Sequence, residues 1–483
     1  MTPGKDAAPK PEEWDWKGRR VAVVGLGVSN RALIRFLVAE GARVTGFDRQ
    51  PLEAMPAVAE EMERLKVPVI SGPGYLERSQ GSYDAVFLTP GIRRDEPGLR
   101  ELVASAGRVL SEMELFFRLC PAPIVAVTGS NGKTTTTSLI GRILSLGPRP
   151  VWVGGNIGTP LIDRVREIQP SSWVVLELSS FQLEFLTASP HIGVVTNFQP
   201  NHLDVHPSLE AYWEAKARIF RFQKRGDWAV FNADDAEVAR MAGGPGRAFP
   251  FSRRRRLSQG AFLVGDDLVV RGPGEGETAV ASIRDLQIPG WHNVENALAA
   301  VAAARLCGLE AGLIREGLRS FEGVPHRLET VAEIDGVRFI NDSIATSPSR
   351  TAAALRALQA PVVLIAGGYD KKLSFQPMVD AMQEARVKAV VLLGATADKI
   401  AKALETLPAE GRPPVYRVAS LEEAVHQARR LAVAGDVVLL SPACASYDMF
   451  ANFEARGQAF RDCVRRLQQM PRGLPVGVYQ EKV

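Results

Sequence analysis

Ile124-Val-Ala-Val-Thr128-Gly129-Ser130-Asn131-Gly132-Lys133-Thr134-Thr135 is the stretch on which the reading of the fold turns. The apolar, β-branched run behind Pro121 and Pro123 has the character of a fully buried strand, and beyond the lysine Leu139, Ile140, Ile143 and Leu144 recur on one face of a helix. Between strand and helix lies a glycine turn with the parts a nucleoside triphosphate needs. These are backbone N–H groups at a helix N-terminus, a lysine for the β/γ-phosphate charge and a hydroxyl for Mg²⁺. Position 127, where the full GxxxxGK[ST] pattern has its first glycine, is Val, so the loop is a shortened variant. The bland alternative, a glycine turn with a surface lysine, leaves the strand and helix on either side without a reason. ATP is therefore expected at Gly129, Ser130, Asn131, Gly132, Lys133, Thr134 and Thr135.

Towards the N-terminus, Val21–Val24 leads into Gly25-Leu-Gly27 and a helical pattern from Ser29 to Glu40 closed by Gly41. A second strand, 42–47, ends on Asp48, and a third, 85–88, ends on Thr89-Pro90-Gly91. This predicts a parallel α/β sheet with ligand loops at the strand C-termini over residues 1–111, with 1–17 expected as a flexible tail. Gly25–Asn30 followed by Asp48 has the spacing of a dinucleotide fingerprint, but Asn30 replaces its third glycine and is expected to crowd the helix–strand contact. The motif alone leaves NAD, a nucleotide sugar and a plain sheet turn open.

Further along, strands are legible at 174–178, 194–196 and 228–231, while the Gly-rich, alternating segment 248–288 reads as an antiparallel insertion. Together these give a mixed central domain, 112–324. Glu177 ends one strand and His202 follows the next, so a carboxylate and an imidazole overhang the phosphate loop, a pair suited to metal ions. Taken singly each reads as structural, and Lys216 as a surface lysine. A helical stretch, 293–307, precedes a hinge at Phe321–Pro325. After it, 362–366, 389–393 and 437–440 alternate with helices and predict a third α/β domain, 325–483. The run Arg253–Arg256 reads as a solvated loop.

The 483 residues suffice for three domains, and 46% hydrophobic with 23% charged residues excludes disordered and fibrous classes. A net charge of +4, from 58 Lys and Arg against 54 Asp and Glu, is too thin for a nucleic-acid footprint. Four scattered cysteines without a CxxC pair fit a reducing compartment, and neither a signal peptide nor a membrane span is evident. The expectation is a cytoplasmic protein with no nucleic-acid or membrane partner.

Read in order, Gly25–Asn30, Gly129–Thr135, Gly154-Gly-Asn156-Ile-Gly158, Glu177-Leu-Ser-Ser-Phe-Gln-Leu-Glu184 and Asn201-His202-Leu-Asp204 resemble the Mur ligases. The similarity continues through Gly290-Trp-His-Asn293-Val-Glu-Asn296, His326-Arg327-Leu-Glu329 and Asn341-Asp342-Ser343. The segment Leu440-Ser-Pro-Ala-Cys-Ala-Ser446-Tyr-Asp-Met-Phe-Ala-Asn-Phe453-Glu-Ala-Arg-Gly457 is similar to the D-glutamate-adding branch of that family. The resemblance spans 19–470, and the Asp-Asn-Pro-Arg signature of the diaminopimelate- or lysine-adding branch is absent.

The resemblance implies a Rossmann-like UDP-binding domain, a central P-loop ATPase-like domain and a Rossmann-like C-terminal ligase domain. It implies an amide-bond ligase, acting as a monomer, that uses ATP and two Mg²⁺ to join D-glutamate to UDP-N-acetylmuramoyl-L-alanine through an acyl phosphate. By the same resemblance the catalytic residues are Lys133, Glu177, His202 and Lys216. Thr134 and Glu177 hold the first metal, and His202 the second with Lys216 carbamylated. The adenosine meets Asn293, Asn296, Arg327 and Asp342. The UDP substrate meets Gly27, Ser29, Asn30, Asp48, Arg49, Thr89, Gly91 and Asn156, and D-glutamate meets Thr346, Lys371, Ser446 and Phe453. Two positions depart from the family pattern: Ile344 stands where many members carry a lysine, leaving Lys371 or Lys372 to compensate, and Asn201 where Asp is frequent. Rival readings are another Mur-type ligase, such as an L-glutamate-adding or folylpolyglutamate synthetase-like enzyme, a nucleotide-switched binding protein, and an oxidoreductase built on Gly25–Asp48.

Overall fold

A computed structural model describes residues 14–93, 95–200, 206–288, 290–371 and 373–469. The chain divides between Glu322 and Gly323 into two compact units.

The first unit carries two sheets. Strands β1 (Arg20–Val24), β2 (Arg43–Asp48), β3 (Val69–Ser71), β4 (Ala85–Leu88) and β5 (Val109–Leu110) form an all-parallel sheet in the order 3-2-1-4-5. Val21–Val24 are almost wholly buried, as a strand covered on both faces requires, which is why the run is apolar without alternation. The order reverses between β1 and β4, and the loops after these strands meet there. A Cβ on Gly25, whose φ is 85°, would lie 2.8 Å from the Thr89 Cβ.

The second sheet has nine strands: β6 (Ile124–Thr128), β7 (Val151–Gly155), β8 (Trp173–Glu177), β9 (Ile192–Val195), β10 (Trp228–Asn232), β11 (Arg247–Ser252), β12 (Gly260–Val264), β13 (Asp267–Arg271) and β14 (Glu277–Ser282). Their order is 14-13-12-11-10-9-6-8-7. The expectation of an antiparallel insertion over 248–288 needs correction. β11 and β12 continue the parallel sheet, and antiparallel pairing is confined to β12–β13 and β13–β14, so that β13 alone runs backwards. The reason is the short helix Ala236–Met241, capped by Asp235, which carries the chain across from β10 to β11 as a βαβ crossover. Arg253–Arg256 form an exposed loop, as expected, with only Arg253 half-buried, and within it Arg253, Arg255 and Arg256 pair with Glu295, Asp234 and Glu277.

The residues expected to form separate N-terminal and central domains share one apolar core. Leu33 and Leu37 of the helix Val28–Ala39 join Ile162, Val165 and Leu176 in a single buried cluster. Arg35 on that helix spans the same junction, donating to Glu61 (2.6 Å) and to Asp163 (2.7 Å).

The second unit holds β15 (Glu329–Ile334), β16 (Val337–Asn341), β17 (Val362–Gly367), β18 (Val387–Leu393), β19 (Val415–Arg417) and β20 (Val437–Leu440), in the order 15-16-20-17-18-19. It is parallel apart from the β15–β16 hairpin. The late strand β20 inserts between β16 and β17, so the loops after these three strands emerge side by side. The four cysteines are free thiols, Cys444 and Cys463 buried and the other two half-buried, as packing residues would be. Among the described residues no helix is long and apolar enough to cross a membrane.

Candidate active site

In the first unit β6 lies between β8 and β9, so the loops after all three parallel strands converge at one sheet edge, where open α/β sheets bind ligands. The phosphate loop is held there by its own backbone. Ser130 N donates to Asn197 O (3.0 Å), and Asn131 N to Asn197 Oδ1 (2.8 Å). Gly132, with φ 80°, turns the chain into the helix Lys133–Leu144, and Thr134 is buried in its first turn. The glycine is required twice, because a Cβ there would also sit 2.3 Å from Asn296 Oδ1. Asn296 accepts from Thr136 Oγ1 (3.2 Å) and donates to Asn293 (3.1 Å), which sets the start of the helix Trp291–Leu306 against the helix that follows the loop.

Two lysines converge on one carbonyl. Lys133 Nζ donates to Gly129 O and Ser130 O (3.0 Å each), and Lys216 Nζ donates to Gly129 O (2.9 Å). The surface position that Lys216 has when read singly is overturned. It is 1% exposed, because Tyr212 and Lys216, four residues apart on the helix Leu209–Arg221, both face the sheet. Burial, reinforced by the charge of Lys133 and opposed by Glu177, pushes the Lys216 ammonium well below its ordinary range. The buried neutral amine is thereby favoured.

Glu177 ends β8, 2% exposed. Its Oε1 accepts from Asn156 Nδ2 (2.8 Å), and its Oε2 is a buried oxygen without a hydrogen-bond partner among the described residues. A buried carboxylate oxygen without a donor fits a hard cation, which takes oxygen ligands. Immediately beyond, Ser179 and Gln182 form a reciprocal capping box that fixes the short helix Ser180–Glu184 and sets Phe181 towards the N-terminal sheet. A Cβ on Gly91 would lie 3.8 Å from the Phe181 ring. Asn156, expected with the UDP substrate, is placed against Glu177. His202 and Asn201 lie outside the described residues.

At the N-terminal sheet, Asp48 accepts from Leu26 N (2.7 Å) and Gln50 N (2.8 Å), tying the loops after β1 and β2 together. The crowding expected of Asn30 does not occur. Its amide turns back beneath the loop and donates to Val24 O (2.9 Å) and Gly25 O (2.8 Å), bracing the turn that a glycine would leave looser. Gly27, Ser29, Arg49, Thr89 and Gly91 lie at this same edge.

In the second unit Asp342 follows β16. It is buried, accepting from Ser441 Oγ (2.8 Å) and Leu328 N (3.2 Å), and burial raises its carboxyl to about 6. Arg327 is exposed close by, its charge one of those that draw this value down. Lys371, after β17, donates to Thr346 Oγ1 (3.2 Å). Ser446 is buried after β20, and Phe453 accepts from Ser343 Oγ at its carbonyl (2.8 Å). Lys372 lies outside the described residues. Two cations escaped the sequence reading. Buried Arg456 donates to Ser343 O, Cys444 O and Ala445 O, binding the loops after β16 and β20, and it sits inside a motif already quoted. Arg350 donates to Ile344 O (3.0 Å), and its charge helps burial to lower the Lys371 ammonium. Nothing in its sequence setting, Ser-Pro-Ser-Arg, marks it.

Fold and site together define a nucleotide-using α/β protein with a phosphate loop at a sheet switch point in one unit and another open α/β sheet in the next unit of the chain. Residues 127–304 match the Mur ligase middle domain and residues 326–444 the Mur ligase glutamate ligase domain. A "UDP-N-acetylmuramoylalanine--D-glutamate ligase" of Symbiobacterium thermophilum is 48% identical over 450 residues, covering 93% of this chain and 98% of its own. One of Acetivibrio thermocellus is 47% identical over 457 residues, covering 94% and 97%. The chain belongs to the Mur ligase family, in its branch of UDP-N-acetylmuramoylalanine–D-glutamate ligases. Among solved structures it shares its fold with a UDP-N-acetylmuramate-alanine ligase from Thermotoga maritima, with a TM-score of 0.54, 21% identity and coverage of 93% and 99%. A murein peptide ligase from Psychrobacter arcticus gives a TM-score of 0.52, 16% identity and coverage of 94% and 100%.

Proposed function

We infer that the chain is an ATP-dependent amide-bond ligase that adds D-glutamate to UDP-N-acetylmuramoyl-L-alanine in peptidoglycan precursor synthesis. The observation that carries this is the relatedness over nearly the whole chain to enzymes named for that reaction, on a site whose residues suit it. A carboxylate is a poor electrophile at neutral pH, so the acceptor must first become an acyl phosphate, which the D-glutamate amine attacks with release of phosphate. Two anions meet in the first step, and the charge of Lys133 at the phosphate loop offsets their repulsion. Thr134, Glu177, His202 and a carbamylated Lys216 would hold two Mg²⁺, which supply Lewis-acid stabilisation of phosphoryl charge when bound. The unpartnered Oε2 of Glu177 supports the first of these positions, and the buried amine of Lys216 supports carbamylation, since only the neutral form takes up carbon dioxide.

In this reading the UDP substrate lies along Gly27, Ser29, Asn30, Asp48, Arg49, Thr89, Gly91 and Asn156. The adenosine lies along Asn293, Asn296, Arg327 and Asp342. D-Glutamate lies among Thr346, Lys371, Ser446 and Phe453, with Arg350 supplying the cation that Ile344 lacks. Three functional domains, 1–111, 112–324 and 325–483, then carry acceptor, ATP and amino acid in turn, in a monomer working in the cytoplasm, where ATP is made. The test is ADP release with Mg-ATP and the acceptor, adding D-glutamate, L-glutamate, glycine, L-alanine or nothing, with Lys133→Ala as control. Release with D-glutamate alone, lost in the control, is the expected result. Release indifferent to the amino acid would replace the ligase with a nucleotide switch, and a response to L-glutamate alone would change the substrate while keeping the chemistry.

A further inference from the structure

His206 has no role in the reading above, yet it stands between the two substrate edges of the first unit. On the nucleotide side, Ser130 Oγ donates to Gln199 O (2.8 Å) and accepts from Gln199 N (2.9 Å). Its one hydrogen is therefore used, and the 3.1 Å contact with Tyr212 must be the tyrosine hydroxyl donating to it. The Tyr212 ring is 5.2 Å from that of His206. On the acceptor side, His206 is 4% exposed and stacks on Phe181 at 4.9 Å between centroids and 2° between planes, and its Nε2 is 2.9 Å from Ser180 Oγ. Phe181 in turn faces Gly91, in the loop after β4.

The phosphate loop and the loop of the N-terminal sheet are thus joined through Ser130, Tyr212, His206 and Phe181. We propose that His206 is a positioning residue that couples nucleotide binding at the phosphate loop to acceptor binding at the Gly91 loop. A triphosphate that orders Ser130 fixes Tyr212 from above. Tyr212 and the Ser180 bond then hold the imidazole parallel to the Phe181 ring, which forms a wall against which the acceptor packs. Close-packed rings pass on such a displacement because the space between them admits no slack. By linkage the effect is mutual, each ligand tightening the other by the same factor.

The proposal rests on the ligase reading, and the test separates the two. The Kd of UDP-N-acetylmuramoyl-L-alanine is measured by calorimetry with and without a non-hydrolysable ATP analogue, in the full chain and in His206→Ala and His206→Phe. The full chain is expected to bind the acceptor about 5-fold or more tighter with the analogue present, the lower end of ordinary coupling. His206→Ala is expected to bring that ratio close to 1 while the analogue's own Kd moves less than about 3-fold. His206→Phe, which keeps the stack and loses the Ser180 bond, is expected to fall between and guards against mere loss of folding. A purely structural role would weaken both ligands and leave the ratio intact. An unchanged ratio in both variants, or no coupling in the full chain, overturns the proposal with the ligase reading untouched. Failure of the full chain to bind the acceptor at all overturns both.

Discussion

A lysine amine in a dry site is neutral or paired, and Lys216 is 1% exposed beside a second lysine. If it carries a carbamate, activity falls on stripping carbon dioxide from the buffer and returns with bicarbonate, while ¹³C-bicarbonate gives a protein-bound carbamate resonance. Lys216→Arg, which keeps a charge but cannot be carbamylated, should lose about 10²-fold or more in kcat, the scale for removing one group that stabilises developing charge. At the other end of the chain, Arg350 anchors Ile344 O and adds charge beside Lys371. Its replacement by Ala should raise the KM for D-glutamate about 10-fold, as loss of one charge-assisted contact does, with a smaller change in the KM for ATP. Steady-state kinetics with each substrate varied in turn checks this, and equal effects on both would assign Arg350 a general structural role.

At the scale of elements, the phosphate loop is a strand-to-helix turn whose shape depends on Gly132. Alanine there meets both an unfavourable φ of 80° and Asn296 Oδ1 at 2.3 Å, so the helix Trp291–Leu306 would be displaced along with the loop. The expected outcome for Gly132→Ala is loss of ADP binding by more than about 10-fold, with a stability cost of about 1–3 kcal/mol. Acceptor binding without nucleotide should be spared. Calorimetry with ADP and with the acceptor separates these effects. The C-terminal loops depend instead on a side chain, since the Arg456 guanidinium joins the segments after β16 and β20 through three carbonyls.

At the scale of the molecule, the junction inside the first unit buries a carboxyl. Glu112, which opens the helix Glu112–Leu119 behind the cap Ser111, is 4% exposed. Burial, with a smaller contribution from Asp163, raises it from the ordinary 4.5 to about 8. The folded state therefore keeps a proton that the unfolded chain releases, so this group's contribution to stability falls as pH rises from about 4.5 to 8 and is constant above. The full cost is on the order of 5 kcal/mol. Glu112→Gln should flatten the decline of the first unit's melting temperature across that window, by differential scanning calorimetry. A variant with the same slope as the parent would show that Glu112 is not the group responsible.

Much of this was legible in the chain itself. The buried strands β1, β4, β6, β17 and β20 announce themselves as unbroken apolar runs, because parallel strands covered on both faces need no polar side. The glycine loops and their neighbours mark the sheet edges where ligands belong, because backbone N–H groups reach a phosphate only where a side chain does not intervene. The edge strands β3, β5 and β19 are short and, like β7, half-exposed, with too little periodicity to stand out, and the parallel pairing of β11 depends on a crossover helix of six residues. Sequence alone set the order of the main α/β elements, the phosphate loop and the kinship on which the function rests. Only the tertiary structure decided that Lys216 is buried, that Asn30 braces its turn, that Asn156 holds Glu177, and that His206, Arg350 and Arg456 face functional loops. Burial and hydrogen-bond partners are properties of neighbours distant in the chain, and no local pattern encodes them.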